Sequence, residues 1–261
     1  MSSSARAIGS GTISFGLVSI PFKVYTTASS HDASFNMLHG KCGSRMKQQY
    51  LCPVENVVVD RTEMVKGFEY AKDRYVQFTA EELKKLEPAK TDSLEIVEFV
   101  PEESVDLAYL EKSYYIGPDK GAGKSYQLLA QAMKVAKKIA VGRYWTRGRV
   151  QLVLIRPYRG GLLMSYAYYA SEVRAFEGIA PSEKTEFKEI ELDLAAQLIK
   201  RLETPAFKAD KYKDEYQDRI RDAVDQKIAG KEISLPDAAP PAIIVDLFEA
   251  LKRSIAAGMG K

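Results

Sequence analysis

Acidic side chains are missing from the middle of this sequence: the 52 residues between Asp119 and Glu172 contain none. Ten cations occupy the same window, Lys120, Lys124, Lys134, Lys137, Lys138, Arg143, Arg147, Arg149, Arg156 and Arg159. The whole chain is only +3, so the window is +10 and the remainder sums to −7. A solvated surface usually mixes both signs, so this segregation suggests one face built for a polyanion. Cysteine is scarce too. Only Cys42 and Cys52 occur in 261 residues, which excludes a disulfide framework and fits a reducing compartment. No apolar run approaches the roughly 20 residues that span a bilayer, so no membrane partner is expected. The opening MSSSARAIGSGTI lacks the apolar core of a secretion signal. A cytoplasmic protein is expected.

Catalytic signatures are absent as well. There is no G-x-S-x-G elbow, H-E-x-x-H pair or kinase motif. The two histidines, His31 and His39, lie eight apart near Cys42, but a zinc site needs about four ligands and a closing pair. Cys52 is followed three positions later by Glu55 instead of a second cysteine. The histidines read as solvated or hydrogen-bonding, with no metal. One stretch does imitate a nucleotide site: YYIGPDKGAGKSYQLL carries a strand, glycines, Lys124-Ser125 and then an apolar helical pattern. A phosphate loop needs G-x-x-x-x-G-K-[ST], because that length wraps backbone N–H groups around the phosphates. Counting back from Gly123 puts Pro118 where the first glycine belongs. The following strand, QLVLIRP, ends in Arg156-Pro157 and not in a magnesium-holding aspartate. The stretch is expected to be a strand-to-helix turn.

Periodicity then organises the chain. GTISFGLVSIPFKVY (11–25) alternates with period two and slips at Val18–Ser19, which predicts one strand with a bulge. Pro21 suits that bulge or an edge. RYVQF (74–78) and SLEIVEFVP (93–101) read as strands, with a capping-box helix from Thr79 and Glu82 between them. The helix after Gly123 is expected to bury Leu128, Leu129, Ala132, Val135, Ala136 and Ile139. Short turns at Thr146-Arg147-Gly148 and Arg159-Gly160-Gly161 make residues 141–170 an antiparallel meander. From about 189 the chain turns helical. KYKDEYQDRIRDAVDQKI spaces Tyr212, Tyr216, Ile220, Val224 and Ile228 at i+4 steps on a charged helix, a stripe that needs the core or a second chain to lie against. A Pro/Ala linker (231–242) and an amphipathic segment, IIVDLFEALKRSI (243–255), close the sequence.

Five collinear segments resemble the bacterial Ku family of DNA end-binding proteins in non-homologous end joining. They are GTISFGLVSIPFKVY, VKGFEYAKDRYVQFTAEELKKLE, KSYYIGPDKGAGKSYQLL, AFKADKYKDEYQDRI and VDLFEALKRSI. The resemblance spans roughly residues 5–230 and 243–255. It implies a mixed β+α fold: an antiparallel β-barrel core with an arching insertion and a C-terminal helical arm. The expected layout is a core over 5–188 with a DNA-encircling insertion at about 29–75, a dimerising arm over 189–230, and a linker with a short element over 231–261. Two protomers would form a ring that threads duplex DNA ends and recruits an ATP-dependent DNA ligase, with no cofactor and no catalysis in end binding. A nucleoid-associated cytoplasmic location follows from that role. Many relatives carry a second cysteine near the position of Glu55, so its absence counts against a zinc or redox role here. Only Lys252, Arg253 and Lys261 lie beyond the linker, so the core is expected to supply most DNA affinity.

A ring that ignores sequence must read phosphates, not base edges. The expected contacts are Arg143, Arg147 and Arg149 at the meander's first turn, where odd parity would aim them one way. Lys41, Arg45, Lys47 and Lys66 would line the arch, with Arg74 near its return. Tyr212, Tyr216, Ile220 and Val224 are the expected dimer contacts. Leu247, Phe248 and Leu251 are candidates for ligase recruitment. Trp145 is expected in the core. A different reading, an RNA or single-strand binding module, would need exposed aromatics on one sheet face, a role Tyr166, Tyr168 and Tyr169 could imitate.

Overall fold

A computed structural model describes residues 6–29, 32–88, 92–146, 148–176, 179 and 186–233. Two compact units emerge, Met1–Ser30 with Met37–Ala175, and His31–Asn36 with Phe176–Lys261. The first is built on a closed barrel of seven strands: β1 (Gly9–Phe15), β2 (Val18–Thr26), β7 (Ser93–Pro101), β8 (Leu110–Pro118), β9 (Lys138–Thr146), β10 (Arg149–Tyr158) and β11 (Gly161–Ala167). Around the barrel they run β1-β2-β8-β11-β10-β9-β7. An odd number of strands cannot alternate all the way round a closed ring, so one pair must be parallel. That pair is β1 with β7, Thr12↔Ser93 to Ser14↔Glu95, and every other barrel pairing is antiparallel.

The expected bulged first strand is instead a β-hairpin. Phe15 pairs with Val18, and Gly16-Leu17 make the turn, with Gly16 at φ +55° as the first residue of a two-residue connection. The apparent phase slip is the chain reversing: Ile13 and Ile20 lie opposite each other and point into the same core. Leu17, at the tip, is fully exposed. Pro21 falls one residue outside the β2–β8 ladder, which begins at Phe22↔Pro118.

Alternation along the strands delivers Ile13, Ile20, Phe22, Val24, Leu94, Ile116, Val153, Ile155, Leu162 and Met164 to one interior. Helix α2 (Gly123–Ala136) covers it with Tyr126, Leu129, Ala130 and Met133. This differs from the expected face, because Leu128 and Val135 are exposed and Ile139 belongs to β9. Both sides of α2 are apolar enough that periodicity alone picks the wrong one. What selects the face is Tyr126, whose buried hydroxyl donates to the Ile116 carbonyl and accepts from the Leu162 N–H at 2.8 Å. It joins β8, α2 and β11 at a point no aliphatic residue could serve, and burial pushes its phenol above the ordinary range.

Between β2 and β7 the chain leaves the barrel. It forms two small sheets, β3 (Tyr50–Leu51) with β4 (Val58–Val59), and β5 (Lys66–Ala71) with β6 (Arg74–Phe78), followed by α1 (Ala80–Leu86). Thr79 and Glu82 complete the capping box of α1 in both directions. The second unit carries α3 (Glu189–Leu202) and α4 (Glu215–Ile228). α4 starts later than the i+4 stripe suggests, because Asp214 caps it by accepting from the Gln217 N–H. Tyr212 therefore lies outside the helix, stacked on Phe207 with ring centroids 5.7 Å apart.

Replacing Tyr126 with Phe leaves the Ile116 carbonyl and Leu162 N–H without their buried partner. Tyr126→Phe is expected to lower unfolding free energy by about 1–3 kcal/mol, read as a reduced denaturant midpoint at unchanged slope.

Candidate nucleic-acid interface

The β9–β10 hairpin brings part of the acid-free window to one tip. Arg143 and Arg149 are both exposed, but they do not share a face. In this register Thr146 pairs with Arg149, and Arg143 with Leu152. Gly142 and Tyr144 are buried, so the odd positions of β9 point outward; Val153 and Ile155 are buried, so the odd positions of β10 point inward. Arg143 consequently sits on the outer surface, opposite Glu95 of β7. Arg149 sits at the barrel mouth, lining a cavity of about 420 Å³ with Lys112, Gln151, Asp92 and Glu111. The common-face expectation fails because the hairpin inverts parity between its arms. Arg147 lies outside the described residues. Glu87, which no motif singled out, comes up against the turn: a Cβ on Gly148 would stand 2.8 Å from its carboxyl carbon.

Nor does the acid-free window form a single face. Lys134, Lys137, Lys138 and Arg159 line a separate cleft of about 680 Å³ at the end of α2, together with Glu102 and Glu103. Arg156 pairs with Glu102 at 3.6 Å, and its guanidinium and that of Arg159 lie over the Tyr158 ring. The phosphate-loop imitation is likewise structural. Asp119 donates its backbone N–H to the Pro21 carbonyl and pairs with Lys23 at 2.9 Å, while Gly121 takes φ +82°. The Lys23 ammonium holds the Asp119 carboxyl below its usual range. α2 then returns into the antiparallel β9, so no parallel crossover follows it.

The described cations of the insertion are all presented to solvent. Lys41 and Arg45 belong to a turn in which Met46 N–H donates to the Met37 carbonyl and Gly43 N–H to the His39 carbonyl, with Leu38 bridged to Arg45. Lys47 follows it, Lys66 opens β5 and Arg74 opens β6. Among the described residues, none of Lys41, Arg45, Lys47, Lys66, Arg74, Arg143 and Arg149 is held in an ion pair. Residues 37–78 contain no buried side chain, so backbone pairing, turns and local side-chain contacts, such as Arg61 over the Tyr50 ring, shape this region without a core. Lys112, whose ammonium lies 5.6 Å from the Tyr114 ring centre, joins the cations at the barrel mouth. It escaped notice in the sequence because Glu111 precedes it.

Cys42 lies 3.0 Å from His39 Nδ1 and 3.3 Å from Ser44 Oγ, on the exposed turn. These partners, Ser44 first, push its thiol down to about 7. Cys52 accepts from the backbone of Glu55 and Val54, which also lowers its thiol. His31 lies outside the described residues. Among the described residues no three His, Cys, Asp or Glu side chains converge in a way that could hold a metal.

The aromatic platform of the single-strand reading is not formed. Tyr166 packs into the barrel against Tyr114 (5.0 Å) and Tyr144 (6.4 Å), and Tyr168 and Tyr169 lie beyond the end of β11. Trp145 is half-buried. No described helix is long and apolar enough to cross a membrane. In the second unit Tyr212, Tyr216 and Val224 are exposed and Ile220 is half-buried. Leu247, Phe248 and Leu251 lie outside the described residues.

A barrel with this insertion has known counterparts: residues 14–194 match the Ku70/Ku80 beta-barrel domain. The chain belongs to the Ku family. It is 42% identical to a non-homologous end joining protein Ku of Paraburkholderia phymatum, over 97% of this chain and 84% of that protein. The corresponding protein of Koribacter versatilis is 39% identical over 97% and 87%. That of Archaeoglobus fulgidus is 36% identical over 97% and 99%, so this Ku chain spans nearly the whole of an archaeal relative.

The Cys42 geometry generates a direct test. Alkylation of Cys42 by iodoacetamide should rise with pH through a midpoint near 7, as the thiolate forms. Ser44→Ala removes the first stabilising partner and should move that midpoint upward; an unmoved midpoint refutes the assignment.

Proposed function

We propose that this chain binds double-stranded DNA ends without regard to sequence, as a ring-shaped homodimer acting in double-strand break repair by non-homologous end joining. Membership of the Ku family supports the end-joining role. The observation that carries the ring is the insertion between β2 and β7. Both its ends are anchored in one closed barrel, its described residues bury no side chain, and among the described residues Lys41, Arg45, Lys47, Lys66 and Arg74 are held in no ion pair. A span of this kind suits a duplex that passes through, with phosphate contacts supplying affinity and closure supplying the preference for ends. Arg143 on the outer surface and Arg149 at the barrel mouth add contacts on separate faces.

Dimerisation is supported by what the second unit lacks. None of its described apolar side chains is buried, and Ile190, Leu192, Ile199, Leu202, Phe207, Tyr212, Tyr216 and Ile228 all stand exposed. So short a segment without a core does not hold its structure alone, and a second copy would give the stripe of α4 its missing cover. Recruitment of an ATP-dependent DNA ligase through Leu247, Phe248 and Leu251 belongs to the same proposal. No step here calls for a cofactor or catalysis.

Retention on linear duplex should exceed retention on covalently closed circles of the same sequence, measured by gel shift alongside the solution mass of the dimer. Equal retention on circles and linear duplex rejects threading, and a preference for single strands favours the RNA or single-strand alternative. Arg143→Glu with Arg149→Glu should flatten the dependence of log affinity on log salt by about 0.9 for each phosphate no longer neutralised. An unchanged slope removes both residues from the interface.

A further inference from the structure

The one buried residue of α4 is polar. Gln217 is 9% exposed, whereas Tyr216, Val224 and Ile228 of the same helix lie open. A buried primary amide must satisfy its hydrogen bonds, and the partners of Gln217 come from far away in sequence. The backbone N–H of Ala33 donates to Gln217 Oε1 at 2.8 Å, and Gln217 Nε2 donates to Asp32 Oδ1 at 3.4 Å. An N–H can only donate, which fixes which end of the amide is oxygen. Residues 32 and 33 are the root of the insertion, a few positions after β2 ends at Thr26. That root clusters with the arm, and the chain rejoins the barrel unit at Met37.

We propose that Gln217 is a positioning residue that ties the root of the DNA-encircling insertion to the arm. The arm then has a second task beside joining subunits: it sets where the insertion departs. This rests on the DNA-encircling reading of the insertion. Both bonds hold residues 32–33 by chemistry specific to an amide, since one partner needs an acceptor and the other a donor. No apolar residue at position 217 could do both.

The decisive variant is Gln217→Glu. Position 217 is the third residue of α4, where a carboxylate favours the helix N-terminus, so α4 is not weakened. The carboxylate can still accept from the Ala33 N–H, but the bond to Asp32 is lost and replaced by repulsion between two carboxylates, which loosens the tether. Amide hydrogen exchange of the full-length protein without DNA should quicken by about five- to ten-fold at residues 32–36, the range of one lost buried hydrogen bond. Release from linear duplex should quicken by about three-fold, a change in off-rate rather than on-rate. Adding Asp32→Asn to that variant restores a donor opposite the introduced carboxylate and should return both values toward those of the unmodified protein.

Unchanged exchange at 32–36 overturns the tether. Faster exchange with unchanged release overturns the positioning role, and so does a double variant that fails to recover. Because the exchange measurement uses no DNA, its outcome is separate from that of threading, which the comparison of circles with linear duplex decides on the unmodified protein.

Discussion

Closure of the barrel between β1 and β7 is the constraint on which the rest of the molecule depends. Seven strands leave one parallel seam, and parallel strands cannot be joined by a tight turn. Here the β1–β2 hairpin supplies the return: β2 ends at the same end of the barrel at which β7 begins, on the other side of β1, so the insertion leaves and re-enters the barrel at one end. The seam is short, Thr12 to Ser14 against Ser93 to Glu95, reinforced by Thr12 N–H donating to the Asp92 carbonyl at 3.0 Å. It needs a bare backbone just before it. A Cβ on Gly11 would lie 2.5 Å from the Asp92 carbonyl oxygen and 3.0 Å from the Phe22 ring. Strand parity thus fixes where the insertion starts and ends, on either side of β1 at one end of a sealed frame, and leaves its length free.

Much of this frame was legible in the sequence, and the misreadings share a cause. Alternation found β6, β7 and the β9–β10–β11 meander, and the Thr79–Glu82 capping box placed α1. Single-strand periodicity could not see reversal. The slip at Val18–Ser19 looked like a bulge, although a two-residue turn shifts phase in the same way. The same blindness put Arg143 and Arg149 on one face: across the hairpin, residues on one face have opposite parity, since Thr146 faces Arg149 and Arg143 faces Leu152. For α2 the pattern was ambiguous because both sides carry leucines or valines, and the deciding residue was a tyrosine chosen for its hydroxyl.

The candidate site was legible as a set of residue types and much less as an arrangement. The absence of acids correctly marked 120–171 as cationic, but sequence distance says nothing about which cations a barrel brings together. Lys134, Lys137, Lys138 and Arg159 gather by the end of α2, with two glutamates from outside the window. Lys112 reaches the barrel mouth from a stretch that reads as charge-balanced. Gln217 was invisible for a different reason: on a helix read for its apolar stripe, a glutamine between Tyr216 and Ile220 looks like solvent-facing filler. Its burial becomes meaningful only once Asp32 and Ala33 are seen to meet it.

The division between what is packed and what is bare follows from the proposed task. A barrel with a dense interior fixes two anchor points. The described residues of the insertion and the arm bury almost no apolar surface, so on the proposed reading binding supplies part of what holds them in shape. For the arm, the exposed aliphatic and aromatic side chains call for an apolar partner, which in the proposed dimer would be a second copy. For the insertion, exposed cations on two-stranded ribbons call for an anionic one. The two needs differ in their physics. Cover for the arm buries apolar surface and depends weakly on salt, whereas cover for the insertion releases counterions and weakens steeply as salt rises. If the proposed ring dimer forms, raising ionic strength would strip DNA from it well before separating the subunits, and the protein released from an end would still be a dimer able to thread another.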